Sequence, residues 1–172
     1  APPPAASVAM PANVNAMRVV NGARAKRGMP NGACGHYVEW QVYSVLQQGK
    51  DAKPLIEACR NQAQAELAAS RDRSAIGTLR SQVTSWSDMA VRQMVETGQM
   101  PAALDLPADG YAVARFNLAY ARLLAGRRDA VRGSAALAHM RRDREVVAGV
   151  LAREMPDDDQ YLPWLDRAIA QG

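Results

Sequence analysis

The chain contains only two cysteines, Cys34 and Cys59, and they lie where a basic N-terminal segment gives way to strongly helical sequence. Two thiols are too few for a zinc site, and the two histidines, His36 and His139, do not complete a Cys/His cluster of the usual spacing. The sequence therefore predicts a disulfide between the two cysteines, with two buried free thiols as the alternative. A disulfide would place the protein in an oxidising compartment, either a bacterial periplasm or the cell exterior.

Residues that favour helices dominate the sequence after residue 35. Alanine, leucine, arginine, glutamine and methionine are frequent, phenylalanine occurs once, and no stretch alternates apolar and polar residues as a strand would. With 172 residues, 48% of them hydrophobic, the chain is long enough to bury one core. We therefore expect an all-α protein in which residues 36–172 form a single domain, an irregular or up-and-down bundle of about six to seven helices.

Residues 1–35 differ in composition from the rest of the chain. They begin with the proline-rich APPPAASVAM, which is typical of a tether left after export processing, although an arbitrary chain start is the alternative. They continue with four basic residues and no acidic one: Arg18, Arg24, Lys26 and Arg27. We expect an irregular, solvated leader that is able to contact anionic lipid or an acidic partner. Nucleic acid is disfavoured, because no aromatic residue before Tyr37 is available to stack on bases.

Capping residues and helix breakers predict where the helices begin and end. The expected helices span residues 36–48, 51–69, 73–97, 109–125, 129–140 and 143–155, with a last helix after the acidic turn 157–159. The disulfide would join the first two of them, closing a loop of roughly 25 residues and stabilising the fold by about 3 kcal/mol. The third carries the strongest apolar stripe in the chain and is the expected central helix: Ile76, Leu79, Val83, Trp86, Ala90 and Met94.

Sequence motifs for catalysis are weak. The chain has no G-x-S-x-G turn and no G-x-x-x-x-G-K-[ST] phosphate loop. His36 and Glu39 lie one helical turn apart, a spacing that suits a metal or acid–base chemistry but also an ordinary helix start. The aspartates at 157–159 lack the glycine and glutamate of a calcium loop, so helix capping is the favoured role. We assign no catalytic residue, metal ion or cofactor.

Aromatic residues on the first helix are the best candidates for a binding surface. Tyr37, Trp40 and Tyr43 follow one another at three-residue steps, and tyrosine and tryptophan are favoured in interface hot spots. A neighbouring apolar strip on the same helix suits burial: Val38, Val42 and Val45. Core packing of the aromatic residues is the alternative.

A short cationic patch is the second candidate binding surface. It consists of Arg141, Arg142 and Arg144, which follow His139 and would meet an acidic partner. The intervening Asp143 and the following acidic residue make a self-neutralised helix start equally consistent with the sequence.

These features favour an exported helical protein that acts by binding another protein, such as a periplasmic inhibitor, an immunity-type protein or an accessory subunit of an envelope complex. The alternative is a small cell-envelope hydrolase or lyase whose carboxylate or histidine acid–base residues are gathered by the fold. A deep pocket with two converging carboxylates would favour the enzyme, and a flat aromatic or charged face would favour binding. No apolar run approaches the ~20 residues of a transmembrane helix, so membrane contact would be peripheral, through the basic leader.

Overall fold

The structure, a computed structural model, describes residues 4–69, 81–108, 110–126 and 130–171. Within these residues it consists of seven α-helices without a strand, which confirms the predicted all-α class. The helices are α1 Pro4–Ala25, α2 His36–Gln47, α3 Lys53–Ala69, α4 Gln82–Thr97, α5 Ala112–Ala125, α6 Ala130–Glu154 and α7 Tyr161–Ile169. None of the described helices has both the length and the apolar character needed to cross a membrane.

Two hydrophobic clusters form the core, and α5 belongs to both. The first cluster holds residues of α2, α3 and α4, and α5 adds Ala114 and Leu118 to it. The second holds residues of α6 and α7, and α5 adds Val113 and Phe116 to it. A helix that is apolar around most of its circumference must be buried on several sides. Helix α5 is accordingly the wall between the two clusters.

Helix α4 is the central element of the first cluster. It packs against α2, α3 and α5, and the predicted stripe residues Val83, Trp86 and Ala90 are all buried. The helix begins at Gln82, because the extended Ser81 accepts a hydrogen bond from the Thr84 amide through its hydroxyl and so caps the first turn. The predicted start at residue 73 was therefore wrong, and stripe positions 76 and 79 lie outside the described residues.

The predicted disulfide is present. Cys34 and Cys59 are bonded across a sequence separation of 25 residues. Cys34 lies just before α2, and Cys59 is fully buried within α3, so the bond joins the start of one helix to the middle of the next. Asp51 lies before α3, as predicted, and its Oδ1 accepts a hydrogen bond of 2.9 Å from the Lys53 amide.

The expectation of an irregular leader was wrong for the described residues 4–25, which form α1. Proline at the first helical position costs no hydrogen bond, and the proline at position 11 removes only one. The helix packs along α2, and Met17 contacts the first core cluster. Asn21 fixes the chain that follows, because its Oδ1 accepts a 2.8 Å hydrogen bond from the Gly32 amide. Tertiary contact thus outweighs the weak helical preference of the proline-rich sequence.

A second correction concerns the region around Asp143. Two helices were expected, over residues 129–140 and 143–155, but a single helix α6 spans Ala130–Glu154. Asp143 does not cap a helix start. It is fully buried and pairs with Arg115 of α5, with 3.0 Å between Nη2 and Oδ1. No proline or glycine interrupts residues 140–145, so the helix runs through.

The Arg115–Asp143 pair generates a test of how α5 and α6 are held together. We expect Asp143→Ala to lower the free energy of unfolding by about 3–5 kcal/mol, because it leaves the Arg115 guanidinium unpaired in the α5–α6 interface. The matched control is Asp166→Ala, which removes an exposed pair with Arg144 and should cost less than about 1 kcal/mol. Urea unfolding followed by circular dichroism measures both, and equal effects would contradict the assignment.

Candidate functional site: an aromatic groove

Aromatic and charged side chains meet in a groove of about 570 Å³. Four helices supply its walls, namely α2 and α4 of the first core cluster, the shared helix α5, and α7 of the second. Four of the nine aromatic residues in the chain line it. We call it the aromatic groove, and its lining residues are Glu39, Trp40, Tyr43, Asp88, Met89, Val91, Arg92, Val95, Asn117, Tyr120 and Trp164.

Helix α2 holds its aromatic side chains in a fixed row along the groove. The valines at positions 38, 42 and 45 are buried as predicted, and this turns Trp40 and Tyr43 toward the groove. The Trp40 indole Nε1 donates a 3.0 Å hydrogen bond to Nε2 of His36, and its ring meets that of Tyr43 edge to face at 5.8 Å. Trp40 is 44% exposed, so one side of a positioned indole is open to a ligand.

Two carboxylates lie in the groove, each held by one neighbouring side chain. Oε1 of Glu39 accepts a 2.5 Å hydrogen bond from the Ser85 hydroxyl, which in turn accepts one from the Gly35 amide. Oδ1 of Asp88 accepts a 2.6 Å hydrogen bond from Nδ2 of Asn117. Asn117 is almost fully buried, so it presents a fixed donor to Asp88. The fold thus brings together residues from α2, α4 and α5 that are far apart in sequence.

The environment of Asp88 changes its acidity. The carboxyl is open to the water in the groove, yet protein surrounds the groove on several sides. Burial in this surrounding protein and, to a smaller extent, the negative charge of Glu39 together raise the pKa of Asp88 from 3.8 to about 7, against the opposing effects of Asn117 and Arg92. Asp88 therefore exchanges its proton near neutral pH, whereas an ordinary aspartate is fully ionised there.

Arg92 is the cationic residue that lines the aromatic groove with the two carboxylates, but it makes its contacts elsewhere. Its guanidinium lies 4.7 Å from the centre of the Tyr43 ring, a cation–π contact. It also approaches Oε1 of Glu96 at 3.7 Å. Within the described part of the chain, neither Glu39 nor Asp88 has an ion-pair partner.

A second cavity, of about 530 Å³, adjoins the aromatic groove and shares Glu39 and Asp88 with it. It lies beside the disulfide and is lined also by His36 and Ser85. The predicted His36–Glu39 pair therefore faces a cavity, although the two side chains bond to Trp40 and Ser85 respectively and not to each other. Among the described residues, no group of three or more metal-ligating side chains is close enough to hold a metal ion.

The structure separates the other predicted binding residues from the aromatic groove. Tyr37 is 44% exposed but does not line the groove, which takes only Trp40 and Tyr43 from the predicted set. Arg142 lines a cavity of about 210 Å³ near Asp143 instead.

Of the remaining arginines in the cationic patch, Arg141 is exposed on α6 and Arg144 is bonded to α7. Arg144 donates to both carboxylate oxygens of Asp166, at 2.9 and 3.0 Å, and these bonds lower the pKa of that aspartate. In the acidic turn, Oδ1 of Asp158 accepts from the amides of Gln160 and Tyr161, which agrees with the predicted capping role.

Sequence reasoning missed the groove residues outside α2. Asp88 and Arg92 lie on the polar side of the α4 stripe, where charged residues are the rule. Asn117 lies between Phe116 and Leu118 in the middle of a largely apolar helix, and this was the signal in the sequence that pointed to a buried polar contact beside the groove. No signal connected Trp164 with α2.

No protein-family model, curated protein or solved structure matches this chain.

The unusual acidity of Asp88 can be tested directly. We expect Asp88 to titrate near pH 7 in the wild-type protein, and Glu39→Gln to lower its pKa because a neighbouring like charge is removed. The exposed Glu57 supplies a control, Glu57→Gln, which should leave the titration unchanged. The measurement is an NMR pH titration of the side-chain carboxyl carbon, and a wild-type pKa near 4 would contradict the interpretation.

The raised pKa of Asp88 also makes the stability of the fold depend on pH. Because the pKa of Asp88 is higher in the folded chain than in the unfolded chain, ionised Asp88 opposes folding, and stability falls as the pH rises from about 4 to 7. Asp88→Asn should therefore gain stability relative to wild type over that interval.

Proposed function

We propose that this protein is an exported helical protein that acts by binding another protein, and that the aromatic groove is its recognition site. The observation that carries the proposal is the groove itself, in which half-exposed tryptophans from α2 and α7 flank polar and charged groups. Trp40 and Trp164 are 44% and 39% exposed, and large amphipathic side chains of this kind dominate the energetics of protein interfaces. Their ring contacts with Tyr43 and Tyr161 limit the entropy lost on binding.

The proposed compartment is the periplasm or the cell exterior. Its support is the disulfide between Cys34 and Cys59, since such bonds persist in oxidising environments and are rare in cytosolic proteins. A periplasmic inhibitor, an immunity-type protein or an accessory subunit of an envelope complex fits a helical domain of this size with an open groove. The cationic patch is a weaker candidate surface, because Arg142 and Arg144 are already paired with Asp143 and Asp166.

Two exposed aromatic residues on α2 provide a matched test. Tyr37 and Trp40 are both 44% exposed, but only Trp40 lines the groove. We expect Trp40→Ala to weaken binding of an affinity-purified envelope partner at least about 30-fold, as for a hot-spot residue, and Tyr37→Ala to change it less than about threefold. Isothermal titration with the purified partner measures both. Equal losses, or no loss with Trp40→Ala, would exclude the groove as the recognition site.

A second candidate function is a cell-envelope hydrolase or lyase. The observation that favours it is the presence of two carboxyl groups in one groove, with the pKa of Asp88 raised to about 7 beside Glu39. A carboxyl group whose pKa lies near the working pH is suited to act as a general acid. In this reading Asp88 would donate a proton to a leaving group and Glu39 would act as the base or stabilise positive charge.

If the protein is an enzyme, its turnover should depend on the carboxyl groups of both Glu39 and Asp88. With peptidoglycan fragments as substrate and mass spectrometry as readout, Asp88→Asn and Glu39→Gln should each lower kcat at least about 100-fold, within the range typical for loss of a general acid or base. The same carboxyl change outside the groove, Glu57→Gln, should leave kcat unchanged. No turnover by the wild-type protein, or turnover that survives Asp88→Asn, would exclude this assignment of the acid.

A further inference from the structure

The polar part of the aromatic groove has more hydrogen-bond acceptors than donors. Glu39 and Asp88 each use one carboxylate oxygen, with Ser85 and Asn117 as donors. Within the described residues, Oε2 of Glu39 and Oδ2 of Asp88 receive no hydrogen bond, and Asp88 is an exposed residue. A ligand that pairs with these two carboxylate oxygens must supply N–H or O–H groups.

The charges in the groove favour a cationic ligand. The two carboxylates are close enough for the charge of Glu39 to influence the ionisation of Asp88, and neither is ion-paired with a described residue. Arg92 partly compensates them, but its guanidinium lies over the Tyr43 ring and next to Glu96. An incoming cation would relieve the repulsion between the carboxylates, and this attraction would be local, since the chain as a whole carries a net charge of +4.

The aromatic walls favour a guanidinium over a compact ammonium group. The groove already contains one such contact, between the Arg92 guanidinium and the Tyr43 ring. Trp40 and Trp164 offer further half-exposed rings on α2 and α7. A planar guanidinium stacks on aromatic faces and binds carboxylates with two parallel hydrogen bonds, whereas an ammonium acts as a strongly hydrated point charge.

We propose that the aromatic groove binds an arginine side chain of a partner polypeptide, with its guanidinium between Glu39 and Asp88 and its apolar stem along the indole of Trp40. The proposal rests on the proposed function as a binding protein and names the chemical group recognised at its site. A groove of about 570 Å³ accommodates this side chain together with neighbouring residues of the partner.

Occupation by a cation is linked to the protonation of Asp88. The charged and titratable groups around this carboxyl are Glu39 of α2, Arg92 of α4 and Tyr161 of α7, together with Arg24 and His36 across the adjoining cavity. A bound guanidinium favours the ionised carboxylate, so binding should release a proton from Asp88 near pH 6 and strengthen as the pH rises to 8.

The test compares two tripeptides that differ only in charge, acetyl-Gly-Arg-Gly-amide and its citrulline analogue. NMR titration at fixed ionic strength follows the indole N–H signals of Trp40 and Trp164. We expect the arginine peptide to bind at least tenfold more tightly than the citrulline peptide at pH 8. Glu39→Gln and Asp88→Asn should each weaken arginine binding at least tenfold, with Glu57→Gln unchanged as the control of equal charge outside the groove.

Each contrary outcome has a distinct meaning. If both peptides bind equally well, or if neither shifts the indole signals at millimolar concentration, the arginine proposal is overturned, while the partner experiment with Trp40→Ala and Tyr37→Ala still decides whether the groove is a recognition site. If arginine binding survives Asp88→Asn and Glu39→Gln, the carboxylates are not the receptor and the proposal is likewise overturned. If Trp40→Ala leaves partner binding intact, the proposed function itself fails.

Discussion

The burial of α5 between two hydrophobic clusters is the constraint on which the rest of the structure depends. Its apolar residues face α2, α3 and α4 on one side and α6 and α7 on the other, so both halves of the bundle are positioned against the same helix. The groove opens where these halves meet, with Trp40 on one side and Trp164 on the other. Asn117 and Tyr120 of α5 itself also line the groove. The width of the groove is therefore set by core packing, and its side chains lie on helices.

The groove places two carboxyl groups, those of Glu39 and Asp88, where their negative charges repel each other. Two carboxylates share it with no ion-pair partner among the residues that the structure describes, and the ionised form of Asp88 opposes folding at neutral pH. Buried Asn117 donates a hydrogen bond to Asp88, and this bond offsets part of the unfavourable free energy of the ionised form. Repulsion of this kind persists only where the surrounding packing is strong enough to impose it, and such sites are typically functional. The repulsion between the two carboxylates underlies both candidate functions, because either a proton or a bound cation would reduce it.

Local sequence patterns predicted the elements that local physics decides. The valine strip of α2 and the described stripe positions 83, 86 and 90 of α4 follow from short windows of sequence, and they are buried as expected. The disulfide followed from the presence of only two cysteines. Long-range contacts decided the remainder. α1 packs on α2, which its proline-rich sequence did not indicate, and Asp143 within α6 pairs with Arg115, 28 positions earlier in the chain. The groove forms where four helices meet, and it brings together residues 39, 88, 117 and 164. Helix periodicity shows which face of each helix is apolar, but it cannot show which faces of different helices come into contact.

The distribution of the three tryptophans gives the molecule a built-in optical readout. Trp86 is wholly enclosed in the first core cluster, whereas Trp40 and Trp164 stand half-exposed on opposite sides of the groove. The tryptophan fluorescence thus comes from one indole that is shielded from solvent and from two indoles that a ligand in the groove would contact. A small quencher in the water reaches only the second pair, so the accessible fraction of the emission reports occupancy, while the enclosed ring reports whether the bundle is intact. Folding and binding can be followed in one sample without a label.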